Sequence, residues 1–183
     1  MKIETDPGII KDLAQEKEGE NWGFRSFIKS VEIPDNRLDK SIQRFFKQVS
    51  KKIDCRKCAN CCKERRPVID KEDVTNITRE LKVTAAKFKK EYLKKQDNGD
   101  GFIFNRSPCP FLKDNICSIH NFRPRDCASY PDIYKSGFET RLISVIHNCS
   151  ICPIVYNVFE LLKEEIWGME DTELDEIEDY DDW

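Results

Sequence analysis

The stretch Cys55-Arg56-Lys57-Cys58-Ala59-Asn60-Cys61-Cys62 places four of the chain's nine cysteines in eight positions, three of them at intervals of three. Thiolates are soft donors for zinc or iron, and two-residue gaps let one short length of backbone wrap several sulfurs around one centre. Cysteines chosen only to fill a core have no reason to fall in this register. The stretch therefore predicts a metal-binding loop, and with it a small domain organised around the metal.

Upstream, Leu38, Ile42, Phe45, Phe46, Val49 and Ile53 recur at helical spacing after the start signal Pro34-Asp35-Asn36, so a helix delivers the chain into Cys55. Residues 1–33 are polar and weakly periodic apart from an aromatic knot at Trp22, Phe24 and Phe27. Downstream, Asp70 caps a helix carrying Val74, Ile77 and Leu81, and Thr84 caps a lysine-rich helix that runs to about Asn98-Gly99. The lysines of that helix read as a solvated face. A short strand is expected at Gly101–Phe104, and two extended pieces around the turn Lys113-Asp114-Asn115 place Cys109 and Cys117 on either side of a hairpin. Leu142 to Ile146 is β-prone, and Pro153 opens a closing amphipathic helix with Val155, Val158, Phe159, Leu162 and Ile166.

The remaining cysteines are Cys109, Cys117, Cys127, Cys149 and Cys152. Cys55, Cys58 and Cys61 have the CxxCxxC spacing of a bacterial ferredoxin-type loop, whose fourth ligand is remote, and Cys109-Pro110 and Cys152-Pro153 echo its cysteine-proline step. That points to an iron–sulfur cluster of the 4Fe-4S type. Zinc stays open, because the pairs Cys55/Cys58 and Cys149/Cys152 each make a knuckle and a closed zinc site needs only four thiolates. Successive side chains such as Cys61 and Cys62 are expected to diverge, which implies two neighbouring centres or one centre with a spare thiol. The radical-enzyme spacing CxxxCxxC is absent, since Arg65 stands where its last cysteine would be. Arg65, Arg66, Arg123 and Arg125 are candidates to compensate the anionic thiolates. Cys152, as cap of the helix begun by Pro153, gains from the helix dipole. His120 and His147 read as structural residues and Tyr130-Pro131 as a packed turn.

Taken in order, CxxCxxCC at 55–62, Cys109-Pro110-Phe111-Leu112, Cys117 with Ile119-His120 and Arg123-Pro124, and Cys127 with Tyr130-Pro131 resemble the YkgJ-like family of cysteine-cluster proteins, described as zinc- or iron-chelating domains. The resemblance covers about residues 55–153 and implies a chelating function. Ala59 stands where glycine is common in that family, His120 where tyrosine is common, and Ala128 where a basic residue is frequent. The family includes the cluster region of flagellin lysine methylases, but no methyl-donor site is recognisable here and methylation is not carried over.

With 183 residues, 39% apolar and 36% charged, the chain suits one globular domain whose modest core a metal would help. The expected class is α+β, mostly helical with short strands, divided into an N-terminal extension (1–37), the metal-binding domain (38–168) and an acidic tail (169–183). No leader or membrane span is legible, so a cytosolic, reducing location is expected, with the cysteines as thiols or ligands. A net charge of -3 gives no long-range pull on nucleic acid, and seven glycines leave little material for a phosphate cradle. The partner expected from sequence is a metal ion or cluster. Redox chemistry or support of a protein-modifying reaction is one reading of its use, and a non-catalytic zinc scaffold or carrier is the other.

Overall fold

A computed structural model describes residues 2–31, 33, 35–96 and 101–167. Along them run α1 (Pro7–Glu16), α2 (Glu18–Ser30), α3 (Asp35–Ser50), α4 (Cys55–Cys58), α5 (Asn60–Glu64), α6 (Lys71–Leu81) and α7 (Ala85–Tyr92). Four short strands follow, β1 (Leu93–Lys95), β2 (Phe102–Phe104), β3 (Leu112–Lys113) and β4 (Ile116–Cys117). The chain ends in α8 (Arg125–Ser129), α9 (Leu142–Cys149) and α10 (Pro153–Trp167). β1 pairs with β2 and β3 with β4, both antiparallel, so the class is α+β and mostly helical, as expected. The acidic tail lies outside the described residues. No helix among the described residues is long and apolar enough to cross a membrane.

The chain divides into two compact units, Met1–Ile53 with Pro131–Trp183, and Asp54–Tyr130. In the first, α10 is buried on nearly every face, through Ile154, Val155, Val158, Phe159, Leu162 and Ile166, and packs against α3, α9 and α1. α3 buries Leu38, Ile42, Phe45 and Val49, the stripe its period predicts. Within the stretch 1–33, read as polar and weakly periodic, Pro7–Glu16 form α1 and Glu18–Ser30 form α2. Asp6 accepts the N–H groups of Gly8 at 2.7 Å and Ile9 at 3.3 Å, Pro7 opens α1, and narrow pairs such as Ile10/Ala14 and Phe24/Ile28 supply the buried face. Phe24 packs edge-on to Phe159 at 5.4 Å and Trp167 at 5.1 Å, so part of the aromatic knot belongs to the core. α9 is a helix where β structure was expected. Leu142, Val145, Ile146 and Cys149 fall at i, i+3, i+4 and i+7 and are all buried, and that packing overrides their β propensity. Lys163, 3% exposed, is held by Glu160 at 2.6 Å, by Asn21 at 2.8 Å and by Glu20, which is how α10 carries a charge indoors.

The second unit is built on Ile69, Val74, Ile77, Phe88, Leu93, Phe104, Phe111 and Ile119, with Cys109 and Cys117 packed against that cluster. Asp70 and Asp73 form a reciprocal capping box at α6, and the Thr84 hydroxyl accepts the Lys87 N–H to open α7. α7 stops at Tyr92, short of the sequence expectation, because the chain turns extended to pair Leu93 with Phe104. The β3–β4 turn has Asp114 at φ 48° and Asn115 at φ 61°, the pair of left-handed residues that a two-residue hairpin prefers.

Two residues position the cysteine-bearing segments. The Asp73 carboxylate, on a residue 4% exposed, accepts the Asp70 N–H at 3.3 Å and the Arg125 N–H at 3.0 Å, so one side chain both closes the α6 cap and docks the start of α8. Ala59, between α4 and α5, is left-handed at φ 49° and ψ 13°. Its N–H reaches the Cys55 carbonyl at 3.0 Å and its carbonyl accepts the Cys62 N–H at 3.0 Å, which reverses the chain between Cys58 and Cys61. The glycine common at this position in the resembled family has its physical reason in that conformation.

Asp73→Ala leaves two N–H groups without their acceptor and is expected to lose about 2–4 kcal/mol, whereas Asp73→Asn keeps an acceptor oxygen and loses less; urea unfolding measures both. Ala59→Gly removes a left-handed penalty of about 1 kcal/mol and a buried methyl of similar worth, so stability stays within about 1 kcal/mol. Ala59→Val puts a branched Cβ at the same φ and is expected to lose roughly 2 kcal/mol or more in the same measurement.

Candidate metal centre

Asp54 accepts the Arg56 N–H at 3.0 Å and starts α4, which carries Cys55 and Cys58. After the reversal at Ala59, α5 carries Cys61 and Cys62. The Cys109 N–H donates to the Cys62 carbonyl at 2.8 Å, tying the third segment to this loop, and β4 brings Cys117 opposite Leu112. Cys127 sits on α8, docked by Asp73. These seven cysteines belong to the unit Asp54–Tyr130. Cys149 and Cys152 belong to the other unit, at the junction of α9 and α10, and both are buried. The Cys152 carbonyl accepts the Tyr156 N–H at 2.9 Å, the first bond of α10, as expected for its cap. No disulfide joins the cysteines among the described residues.

The seven sulfurs form one electrostatic group. Cys55 is in the field of Cys61 and Cys58, and Cys62 in the field of Cys109, Cys117 and Cys127. Cys109 feels Cys117 and Cys61, and Cys127 feels Cys109 and Cys61. The expected divergence of Cys61 and Cys62 does not occur, since the Cys61 thiol hydrogen-bonds to the Cys62 sulfur. Adjacent helical residues are only about 100° apart, and rotation about a cysteine's single χ1 closes that gap. Cys55 is exposed and the other six are half-buried, so the group lies at the surface.

The hydrogen bond to Cys62 pushes the Cys61 thiol well up, with burial adding to it, and the same bond pulls Cys62 down. Burial raises Cys55 and Cys109 and pushes Cys127 up to about 12. A backbone donor opposes this at Cys109, whose sulfur is faced by the Phe111 N–H, while the neighbouring Leu112 N–H donates to the Cys109 carbonyl at 3.0 Å. In the other unit, burial pushes the Cys149 thiol up as well, followed by the nearby Glu160 carboxylate.

Of the four arginines proposed to compensate the thiolates, Arg65 faces them. Its charge draws Cys61 and Cys127 down, while its guanidinium stacks on Tyr130, 3.9 Å from the ring centre, and pairs with Asp126 at 3.3 Å. Arg125 is engaged with Asp70 and with Glu72 at 3.0 Å, Arg66 is exposed, and Arg123 contacts His120 while its Nε is buried without an acceptor among the described residues. His120 and His147 are both exposed, the latter edge-on to Trp22 at 6.4 Å. Asp126 is the site residue that sequence reasoning missed, and Tyr130, read there as part of a packed turn, supplies the ring on which Arg65 stacks. The legible signal was the placement of Arg65 one helical turn after Cys61 and of Asp126 directly before Cys127.

Among the described residues no three Cys, His, Asp or Glu side chains meet in metal-holding geometry. The donor set nevertheless fits a thiophilic ion. Seven soft donors from α4, α5, the 109–117 segment and α8 act on one another electrostatically, the Phe111 N–H faces the Cys109 sulfur, and the Arg65 cation faces the group.

The model of one protein family, CxxCxxCC, described as "Putative zinc- or iron-chelating domain", matches residues 54–153. No curated protein and no solved structure matches the chain. The matched residues start at the Asp54 cap and take in every cysteine of the chain and more than half of its length, and the chain therefore belongs to the CxxCxxCC family of zinc- or iron-chelating domains.

Proposed function

We propose that the thiols of Asp54–Tyr130 hold iron in a cysteine-ligated iron–sulfur cluster. The observation that carries this reading is the left-handed reversal at Ala59, which turns α5 back after α4 so that Cys61 joins Cys55 and Cys58 in a ferredoxin-type triplet, with cysteines of later segments available as the remote fourth ligand. Cys55, Cys58 and Cys61 supply the ferredoxin-like triplet, and Cys62, Cys109, Cys117 and Cys127 are the candidates to complete the ligand set. Such a cluster would supply one-electron transfer. The protein's own residues would hold it through sulfur, with the Phe111 N–H facing the Cys109 sulfur and Arg65 set against the accumulated negative charge. A zinc-stabilised scaffold or carrier without catalytic activity is the second reading. The turn at Cys109, where the Phe111 N–H faces the sulfur, is compatible with this redox-neutral site as well.

Iron, zinc and acid-labile sulfide per chain, measured on protein purified without oxygen, separate the two. Iron with matching sulfide and broad visible absorption is expected, and stoichiometric zinc in colourless protein would replace this reading with the second. In the same preparations Cys61→Ser lowers metal content and thermal stability together, because ligand binding is folding free energy; full retention of both contradicts any metal role for that thiol.

A further inference from the structure

Arg65 is fixed more firmly than a surface counter-charge needs. Its own N–H donates to the Cys61 carbonyl at 3.0 Å, so its backbone position is tied to a cysteine one turn earlier. Its guanidinium lies over the Tyr130 ring at 3.9 Å and approaches the two Asp126 oxygens at 3.3 and 3.4 Å. Asp126 is held in turn by the Val68 N–H at 3.0 Å. The side chain is only 20% exposed. The cation therefore stands in a cradle between two cysteine-bearing stretches, one turn beyond Cys61 on α5 and paired with the residue directly before Cys127 on α8.

We infer that Arg65, clamped between Tyr130 and Asp126, is a positioning residue that sets the affinity of the thiol group for its metal. This rests on the metal-binding reading above. Gathering several thiolates accumulates negative charge, and a cation already immobilised beside them stabilises that state with no reorganisation when metal arrives. The cradle selects arginine. A planar guanidinium lies flat on an aromatic ring while its edge donates to a carboxylate, and a lysine ammonium cannot satisfy both contacts from one place.

The test is cobalt(II) titration of the full, metal-free chain under reducing, oxygen-free conditions, against a chelator of known affinity, followed by thiolate-to-cobalt charge-transfer absorption. Arg65→Gln is expected to weaken cobalt binding about 10–100-fold, with Arg65→Lys recovering part of the loss and the melting temperature of the metal-free protein little changed. Tyr130→Leu removes the ring under Arg65 and leaves every charge in place, so it is expected to weaken binding by less than Arg65→Gln does, and it stands alone should Arg65→Gln fail to fold. Raising the ionic strength is expected to narrow the gap between wild type and Arg65→Gln, a result no purely structural role produces. Wild-type affinity in Arg65→Gln or in Tyr130→Leu, or a gap that salt does not change, overturns the inference while leaving metal binding intact. A wild-type chain that shows no charge-transfer band at all overturns the metal reading and this inference with it.

Discussion

Crowding seven sulfur atoms at the edge of one small apolar core creates an electrostatic conflict to which the rest of the unit Asp54–Tyr130 is fitted. Loss of water pushes thiols such as Cys109 and Cys127 toward their neutral form, and if several ionise they repel one another. A protein that needed these cysteines only for packing would spread them through the core. Here cysteines of four segments act on one another, and the groups that face them include the Phe111 N–H and the Arg65 cation. A bound metal ion or cluster resolves the conflict, because it neutralises the thiolates that burial disfavours.

The scaffold serves that convergence through a small number of backbone devices. The left-handed residue Ala59 folds the loop back so that Cys61 and Cys62 return toward Cys55 and Cys58. The Cys109-to-Cys62 backbone bond and the short β3–β4 hairpin bring in Cys109 and Cys117, which also pack on the apolar cluster of Ile69, Phe88, Phe104 and Phe111. Asp73 ties α8, and with it Cys127, to the N-terminus of α6. Folding the apolar core and gathering the ligands are thus one event, and metal binding and stability are coupled by construction.

Much of this was legible because it is locally encoded. The Asp70 and Thr84 caps, the i, i+3, i+4 stripe of α3, the proline opening α10 and the Asp114-Asn115 turn each announce an element within a few residues. What stayed hidden depends on packing between distant segments. The β-branched residues Ile143, Val145 and Ile146 imitate a strand until α9 is seen to bury every third or fourth position. α1 and α2 show only narrow apolar stripes that acquire meaning against α10. The nine cysteines look like one set in sequence, yet seven lie in one compact unit and two in the other. The contact of Cys61 with Cys62 turns on side-chain rotation, which residue spacing does not encode.

The central claim, that the seven thiols of Asp54–Tyr130 act as one metal-binding group, is tested most directly by residue-resolved alkylation of the native chain before and after metal is removed with a chelator. The account predicts that cysteines of the 55–127 set are shielded together in the loaded protein and become reactive together when metal is withdrawn, while Cys149 and Cys152, being buried, react slowly in both states. Equal reactivity of the seven with and without metal, or metal-dependent shielding confined to Cys149 and Cys152, would contradict it.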